Sequence, residues 1–480
     1  MANAKMNRGF LLGGQEIFEG KEVEIRSPWD QGIVGTVRQA DRGHAMEAVQ
    51  KLDAAFAATR KLAAYQRKQI LEHVADRIAA EKESLAMLIV AEAGKPVKTA
   101  RAEVDRAVLT FRTAAEETVR EDGEILSLDL LKGTEGRWGM VRRFPIGPIF
   151  AVTPFNFPVN LVAHKLAPAI AAGCPILLKP APQTPFCSLR LGDFLLEAGW
   201  PADALAIMPL SNGDTVFLLE HEDRLKAFSF TGSAKVGWAL KQKAAKKRVL
   251  LELGGNAAII VHSDWPDLAA AAKNIVAAGT SYAGQSCISV QRVYVERPIF
   301  DAFRQQAVQA AGTLVCGDPA NEATDVGPVI RLEDAERIEG WIDEARAGGA
   351  EVLTGGSREG MLVEPTLLTG TRSSMKVLDE EVFAPVIVVE PYDDFDAVLD
   401  EVNRSRYGLQ AGLLTRDAGR IFRAYERLDV GGLIVGDMPT WRLDPMPYGG
   451  VKDSGMGREG LRYAMEEMTE RKLLVMAINT

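Results

Sequence analysis

From residue 149 onward, short apolar runs alternate with helical patterns, and this rhythm restricts the possible folds more than any other feature of the chain. The runs fall at 149–152, 175–179, 204–209, 227–230 and 249–253, with helical spacing at 161–172, 185–198 and 235–245 between them. Such runs read as strands covered on both faces, which predicts a mostly parallel sheet with helices on either side. A second set at 257–261, 292–295, 386–389, 409–414 and 433–435 predicts another α/β unit. Two units imply a cleft between them, with a soft boundary near residue 255. Ligands of such sheets bind at the carboxyl ends of the strands.

The first 120 residues read as helical, with patterns at 41–60, 62–93 and 98–120 and a stop at Gly94-Lys95-Pro96. Alternation at 124–130 and 138–144, around Gly133, predicts a β-hairpin. It is too small to be stable alone and needs another element or subunit to pack on. The basic run 241–248 reads as a solvated helix end. Gly455-Met456-Gly457-Arg458-Glu459-Gly460 spells a dinucleotide fingerprint, but a polar loop precedes it where a strand is required. It reads as a turn entering a helix.

Composition narrows the chemistry. A chain of 480 residues, 47% of them apolar, can bury a large core. Net charge is −9 with both signs mixed along the length, so nucleic acid and anionic membranes are not expected partners. No apolar block near the N-terminus has the length of a secretory signal. The longest apolar run, 166–178, is broken by Pro168, Gly173 and Pro175, and the expected location is the cytoplasm. The four cysteines, Cys174, Cys187, Cys287 and Cys316, show no CxxC spacing, and the five histidines show no ligand spacing. Neither a disulfide framework nor a metal site is expected. The chemistry falls to carboxylates, amides, a lone thiol or a bound cofactor.

Several residues are candidates. Cys287, in Gly284-Gln285-Ser286-Cys287, sits on a small-residue turn from which a thiolate can face a cleft, although most single cysteines are buried small hydrophobes. Glu252 lies inside the apolar run Val249-Leu250-Leu251-Glu252-Leu253-Gly254-Gly255, as a base raised by desolvation or as half of a salt bridge. Asn156, in Thr153-Pro154-Phe155-Asn156-Phe157-Pro158, either donates to a developing oxyanion or satisfies its own loop. Lys179 ends a strand, facing a nucleotide or solvent. Thr231-Gly232-Ser233 joins a strand to a helix, as a phosphate cradle or with Ser233 as a plain N-cap.

With those residues in view, the chain closely resembles the aldehyde dehydrogenase superfamily over nearly its whole length. Thr153 to Pro158, Leu178-Lys179-Pro180, Phe230 to Ser233, Glu252 to Gly255 and Gly284 to Cys287 follow the family's order and spacing. Glu381-Val382-Phe383-Ala384-Pro385, Pro447-Tyr448-Gly449-Gly450 and Lys452-Asp453-Ser454-Gly455 continue the match. The resemblance implies two Rossmann-like doubly wound parallel-sheet domains plus a small β oligomerisation element. Residues 1–122 and 146–254 would form the cofactor-binding domain, 255–452 the catalytic domain, and 123–145 with 467–480 the oligomerisation element of a homodimer or homotetramer. It further implies oxidation of a small-molecule aldehyde to its acid with NAD or NADP. Cys287 would form a thioester, Asn156 and the Cys287 N–H would stabilise the oxyanion, and Glu252 would activate water. Thr153, Pro154, Phe155, Lys179, Thr231, Gly232, Ser233, Leu253, Gly254, Glu381 and Phe383 would bind the cofactor.

Three departures qualify the expectation. Pro182 stands where many NAD-preferring members carry a glutamate, which opens the way to NADP. Phe155 replaces the more frequent tryptophan. The stretch Asp437-Met438-Pro439-Thr440-Trp441-Arg442 resembles a branch of lactaldehyde, phosphonoacetaldehyde and glyceraldehyde-3-phosphate oxidisers, yet Phe157 and Ser286 offer no positive charge, which points to a small neutral or hydroxylated aldehyde. The rival readings are an acylating, coenzyme A-dependent dehydrogenase, a cofactor-free hydrolase or acyltransferase pairing Cys287 with His164, and a non-catalytic scaffold.

Overall fold

The computed structural model describes residues 6–120 and 123–477. Five wholly parallel strands form the heart of the first sheet: Ile149–Val152, Ile176–Lys179, Leu205–Ile207, Ala227–Thr231 and Arg248–Glu252. Numbered one to five along the chain, they lie in the order 5-4-1-2-3. The order reverses between Ile149–Val152 and Ala227–Thr231, so the loops leaving these two strands diverge and open a crevice between them. Continuous apolar sequence produces these strands because helices cover both faces, among them Asn160–Ala172, Pro185–Glu197 and Ala234–Lys243.

The second sheet has seven strands, ordered Glu351–Thr354, Thr366–Thr369, Val386–Tyr392, Val290–Glu296, Ala257–Val261, Gln410–Leu414 and Gly432–Val435. Only Glu351–Thr354 runs antiparallel to its neighbour. A third, antiparallel sheet stands apart from both cores and joins Glu124–Ser127, Arg137–Pro145 and the long strand Thr469–Ala477. The hairpin expected around Gly133 forms. Residues 121–122 and 478–480, which belong to the ranges expected for the first domain and the oligomerisation element, lie outside the described residues. No helix among the described residues is long and apolar enough to cross a membrane.

Four expectations change. The first 40 residues are strands: Met6–Arg8, Phe10–Leu12, Gln15–Ile17, Lys21–Arg26 and Ile33–Gln39. Several are only three residues long, too short for a periodicity to register, although Gly13 and Gly14, at φ 58° and 76°, are the two-residue hairpin turn joining two of them. The helix expected over 62–93 is two helices, Ala64–Ala80 and Lys82–Ala93. They part at Glu81, whose carboxylate is held by Arg77 and Arg190, the latter from a distant helix. The basic run is not wholly solvated, because Lys247 is buried and donates to the Leu219 carbonyl at 2.8 Å. Finally, Gly455–Met456 does more than lead into the helix Leu461–Glu467: it pairs antiparallel with Leu251 and Glu252 as the edge strand of the first sheet.

Candidate active site

Nearly all the candidate residues converge on one cavity of about 390 Å³ between the two large sheets. Pro154, Phe155 and Asn156 reach it from the loop after Ile149–Val152, and Thr231, Gly232 and Ser233 from the loop after Ala227–Thr231. Glu252, Leu253 and Gly254 end the strand Arg248–Glu252, while Cys287, Glu381 and Phe383 come from the second unit. Thr153 and Lys179 do not line this cavity. They lie buried side by side at the ends of neighbouring strands, where the Thr153 N–H donates to the Lys179 carbonyl at 3.1 Å.

The loop bearing Cys287 is tightly constrained. Tyr282, Ala283 and Gly284 occupy left-handed conformations in succession, at φ 51°, 52° and 68°. A Cβ at Gly284 would lie 2.0 Å from the Ala384 carbonyl oxygen, so only glycine fits there. Gln285 secures the turn by accepting from the Ile330 N–H at 2.9 Å. The Asn156 side-chain amide donates one N–H to the Gln285 carbonyl at 2.9 Å; among the described residues its second N–H is uncommitted and its Oδ1 has no partner. Among the described residues no backbone acceptor meets the Cys287 N–H. The Cys287 Sγ is half-buried and lies 3.0 Å from the Tyr448 hydroxyl. Burial pushes the thiol up to about 11; the Tyr448 hydrogen bond and Arg442 counter this, and the Glu381 and Glu252 charges add to it.

Glu252 is buried, and among the described residues neither of its carboxylate oxygens has a hydrogen-bond partner. The salt-bridge reading therefore fails for this residue. Burial, then the charge of Glu459, holds its carboxyl well above the ordinary range, against the pull of Lys165, Arg442 and Arg458. His164 does not serve as a base for Cys287. Its Nε2 lies 3.1 Å from Asp444 and 3.2 Å from Arg442, and burial followed by the Arg442 charge holds its pKa down.

The residues expected at a dinucleotide suit one. Among the described residues the buried Thr153 and Thr231 hydroxyls have no partners, and no hydrogen bond or ion pair meets the Lys179 amine, which burial lowers to about 8. These groups end three parallel strands around the switch point, where ribose and phosphate oxygens would meet them. Ser233 makes no capping bond to its helix, so the plain N-cap reading fails. Glu381 accepts from the Gly255 N–H at 3.0 Å and packs so closely on Gly254 that a Cβ there would lie 2.1 Å from its Oε2. Burial lifts the Glu381 carboxyl to about 7. Phe155 and Phe383 meet edge to face, centroids 6.0 Å apart, and wall the same space.

Sequence reasoning missed the cations. Arg106, from the helix Val97–Thr118, and Arg442 both line the cavity, so the uncharged site expected from Phe157 and Ser286 is not what forms. Arg106 pairs with Asp444 at 3.0 Å and its side chain stays 33% exposed. Arg442 pairs with Glu459 at 3.1 Å and stacks on the Tyr448 ring, 3.6 Å from its centroid. Arg442 lay in the stretch quoted for its branch resemblance, whereas Arg106 gave no signal beyond its place on an amphipathic helix.

A thiol, an unpaired buried carboxylate and a free amide N–H beside a dinucleotide crevice define the class: an oxidoreductase that forms a covalent adduct with its substrate. The family model described as the aldehyde dehydrogenase family matches residues 17–474, and the chain belongs to that family. It is an NAD(P)-dependent enzyme that oxidises aldehydes to acids. A 3-sulfolactaldehyde dehydrogenase of Priestia megaterium is 41% identical over 469 residues, 98% of each chain. A sulfoacetaldehyde dehydrogenase of Neptuniibacter caesariensis is 38% identical over 416 residues, covering 87% of this chain and 91% of the relative. Among solved structures, aldehyde dehydrogenase 21 of Physcomitrella patens, in complex with the reaction product succinate, superposes with a TM-score of 0.97 at 40% identity and 99% coverage of both chains.

Proposed function

We propose that the substrate is a short aldehyde carrying an anionic group, sulfonate or carboxylate, and that Cys287 is the nucleophile. One observation carries this reading: Arg106 and Arg442 line the same cavity as Cys287 and the unpartnered carboxylate of Glu252. The names of the relatives, which include sulfonated aldehydes and a succinate product, support it.

In this mechanism Cys287 sheds its proton to water and attacks the carbonyl carbon as thiolate. The second N–H of the Asn156 amide and the Cys287 backbone N–H receive the charge that develops on oxygen. NAD(P), when bound, would supply the hydride acceptor. Thr231, Ser233 and Lys179 would hold the dinucleotide, with Thr153, Pro154, Phe155, Gly232, Leu253, Gly254, Glu381 and Phe383 shaping its bed. Glu252 then takes a proton from a water that attacks the thioester; the C–S bond breaks, sulfur leaves as thiolate and the acid departs. With Pro182 in place of a carboxylate, nothing on that loop repels a 2′-phosphate, and both NAD and NADP are accepted. A reduced thiol nucleophile suits the cytoplasm.

The units expected from the sequence take these roles: 1–122 with 146–254 binds cofactor, 255–452 supplies the nucleophile, and 123–145 with 467–480 joins subunits into a homodimer or homotetramer. Thr469–Ala477 supports that assembly, since it pairs with Arg137–Pro145 and exposes Leu473, Leu474 and Val475.

The test is kcat/KM for short aldehydes of equal length, anionic and neutral, with NAD and NADP, following reduced nicotinamide. Anionic aldehydes are expected to lead, with acid formed at equal rate with and without coenzyme A. A preference for the neutral series would overturn the substrate class.

A further inference from the structure

Tyr448 is buried, and the Cys287 Sγ at 3.0 Å is the hydrogen-bond partner of its hydroxyl. A buried phenol usually finds a hydrogen-bond partner for its O–H, and a neutral thiol is only a weak acceptor. A thiolate is a far better one, since hydrogen bonds to ionised groups are shorter and about twice as strong. The ring is rigidly placed. The Tyr448 and Glu459 backbones form a bridge, with the Tyr448 N–H donating to the Glu459 carbonyl at 2.9 Å. The Glu459 carboxylate in turn holds Lys165 at 2.8 Å and Arg442 at 3.1 Å. Arg442 covers the ring face at 3.6 Å, and a cation there draws electron density from the phenol and makes its O–H a stronger donor.

We propose that Tyr448 is a further catalytic residue, whose hydroxyl donates to the Cys287 thiolate, aims the sulfur at the substrate carbon and favours the charged form of the nucleophile. The proposal rests on Cys287 being the nucleophile. No proton changes hands: the Tyr448 O–H stays intact, and its hydrogen bond loosens when the new S–C bond moves the negative charge to the former carbonyl oxygen. The loss is greatest in the thiohemiacetal and thioester, where sulfur is neutral, and the bond reforms when thiolate leaves. Tyr448 therefore acts at the start and the end of each cycle. The charged groups around the sulfur and the phenol are Arg442 over the ring and the Glu252 and Glu381 carboxylates in the cavity. Substituting the hydroxyl alone leaves all three in place.

The experiment compares Tyr448→Phe with the wild type by the pH profile of Cys287 alkylation with iodoacetamide, by kcat and KM, and by cofactor affinity. Phenylalanine keeps the ring, its bridge and its stack on Arg442 while deleting the oxygen. The alkylation profile is expected to move to higher pH by about one unit, roughly a tenfold slower reaction at neutral pH. The fall is expected in kcat/KM for neutral and anionic aldehydes alike, with cofactor affinity unchanged. An unchanged alkylation profile in a variant that still binds cofactor would overturn the role of Tyr448. Cys287→Ala separates the two ideas: turnover surviving in that variant sinks the nucleophile assignment itself, whereas an inactive Cys287→Ala beside an unaltered Tyr448→Phe sinks only the tyrosine.

Discussion

Replacing Arg106 with methionine is the sharpest probe of the substrate class. Methionine keeps an unbranched apolar stem and removes the guanidinium, so the change tests the charge with little loss of stem packing. Arg106 already pairs with Asp444 at 3.0 Å, but after the substitution Asp444 keeps the Thr110 hydroxyl donor at 3.0 Å and His164 at 3.1 Å, so its carboxylate is not left without partners and the fold should persist. A guanidinium and an anionic tail about 4 Å apart attract by about 4 kcal/mol at an effective dielectric near 20. The Arg106 side chain is a third exposed, so solvent screening reduces this toward the range of about 1.5–3 kcal/mol found for hydrogen bonds to charged groups. That corresponds to a loss of roughly 10- to 150-fold in kcat/KM. It should fall on sulfonated or carboxylated aldehydes, while a neutral aldehyde of the same length loses less than about threefold. The assay is the ratio of the two kcat/KM values in wild type and variant. Equal losses for both substrates would refute the argument, because they would show that Arg106 supports the cavity without reading charge.

Three further outcomes follow from the structure. Glu252→Gln should give one burst of reduced cofactor in stopped flow and then stall, with steady turnover down by about 10²- to 10⁴-fold. Burial holds the Glu252 carboxyl above its ordinary range, so its ionisation destabilises the fold as pH rises from the acid range through that raised pKa; the glutamine variant should gain Tm over the wild type across that interval and not below it. Val475→Lys, on the exposed face of the strand Thr469–Ala477, should shift light scattering toward smaller species if this strand joins subunits; an unchanged mass would point to another interface.

The fold was most legible where covering layers dictate composition. Strands such as Ile149–Val152 and Ala257–Val261 are buried at every position and read as unbroken apolar runs, so both sheets emerged from the sequence. Phe10–Leu12 and Gln15–Ile17 did not, because a three-residue strand has no period to detect and its position depends on an edge supplied by Leu205–Ile207. Of the site, residues tied to a strand end or a tight turn could be proposed in advance: Glu252 is anomalous inside an apolar run, and Gly284 signals a turn. Arg106, Asp444 and Glu459 could not. They are ordinary charged residues in sequence and become a network only when segments more than 300 positions apart are folded together, as Arg106 and Asp444 are. Tyr448 lay in a quoted motif, but nothing local tells a phenol that it will face sulfur.

The edge strand Gly455–Met456 fastens the two halves of the molecule together. The chain leaves the first sheet after Glu252, builds the whole second sheet, and then returns to lie beside Leu251 and Glu252. Ser454 locks the seam, its hydroxyl donating to the Gly254 carbonyl at 2.7 Å and accepting from the Gly408 N–H at 2.9 Å. A clamshell motion wide enough to admit a dinucleotide would have to rip out that seam and strip the outer edge from the strand that ends in Glu252. Traffic in and out of the cleft must therefore pass through local yielding of side chains and surface loops, and a fragment cut after the first sheet would be left with a raw margin beside its own carboxylate.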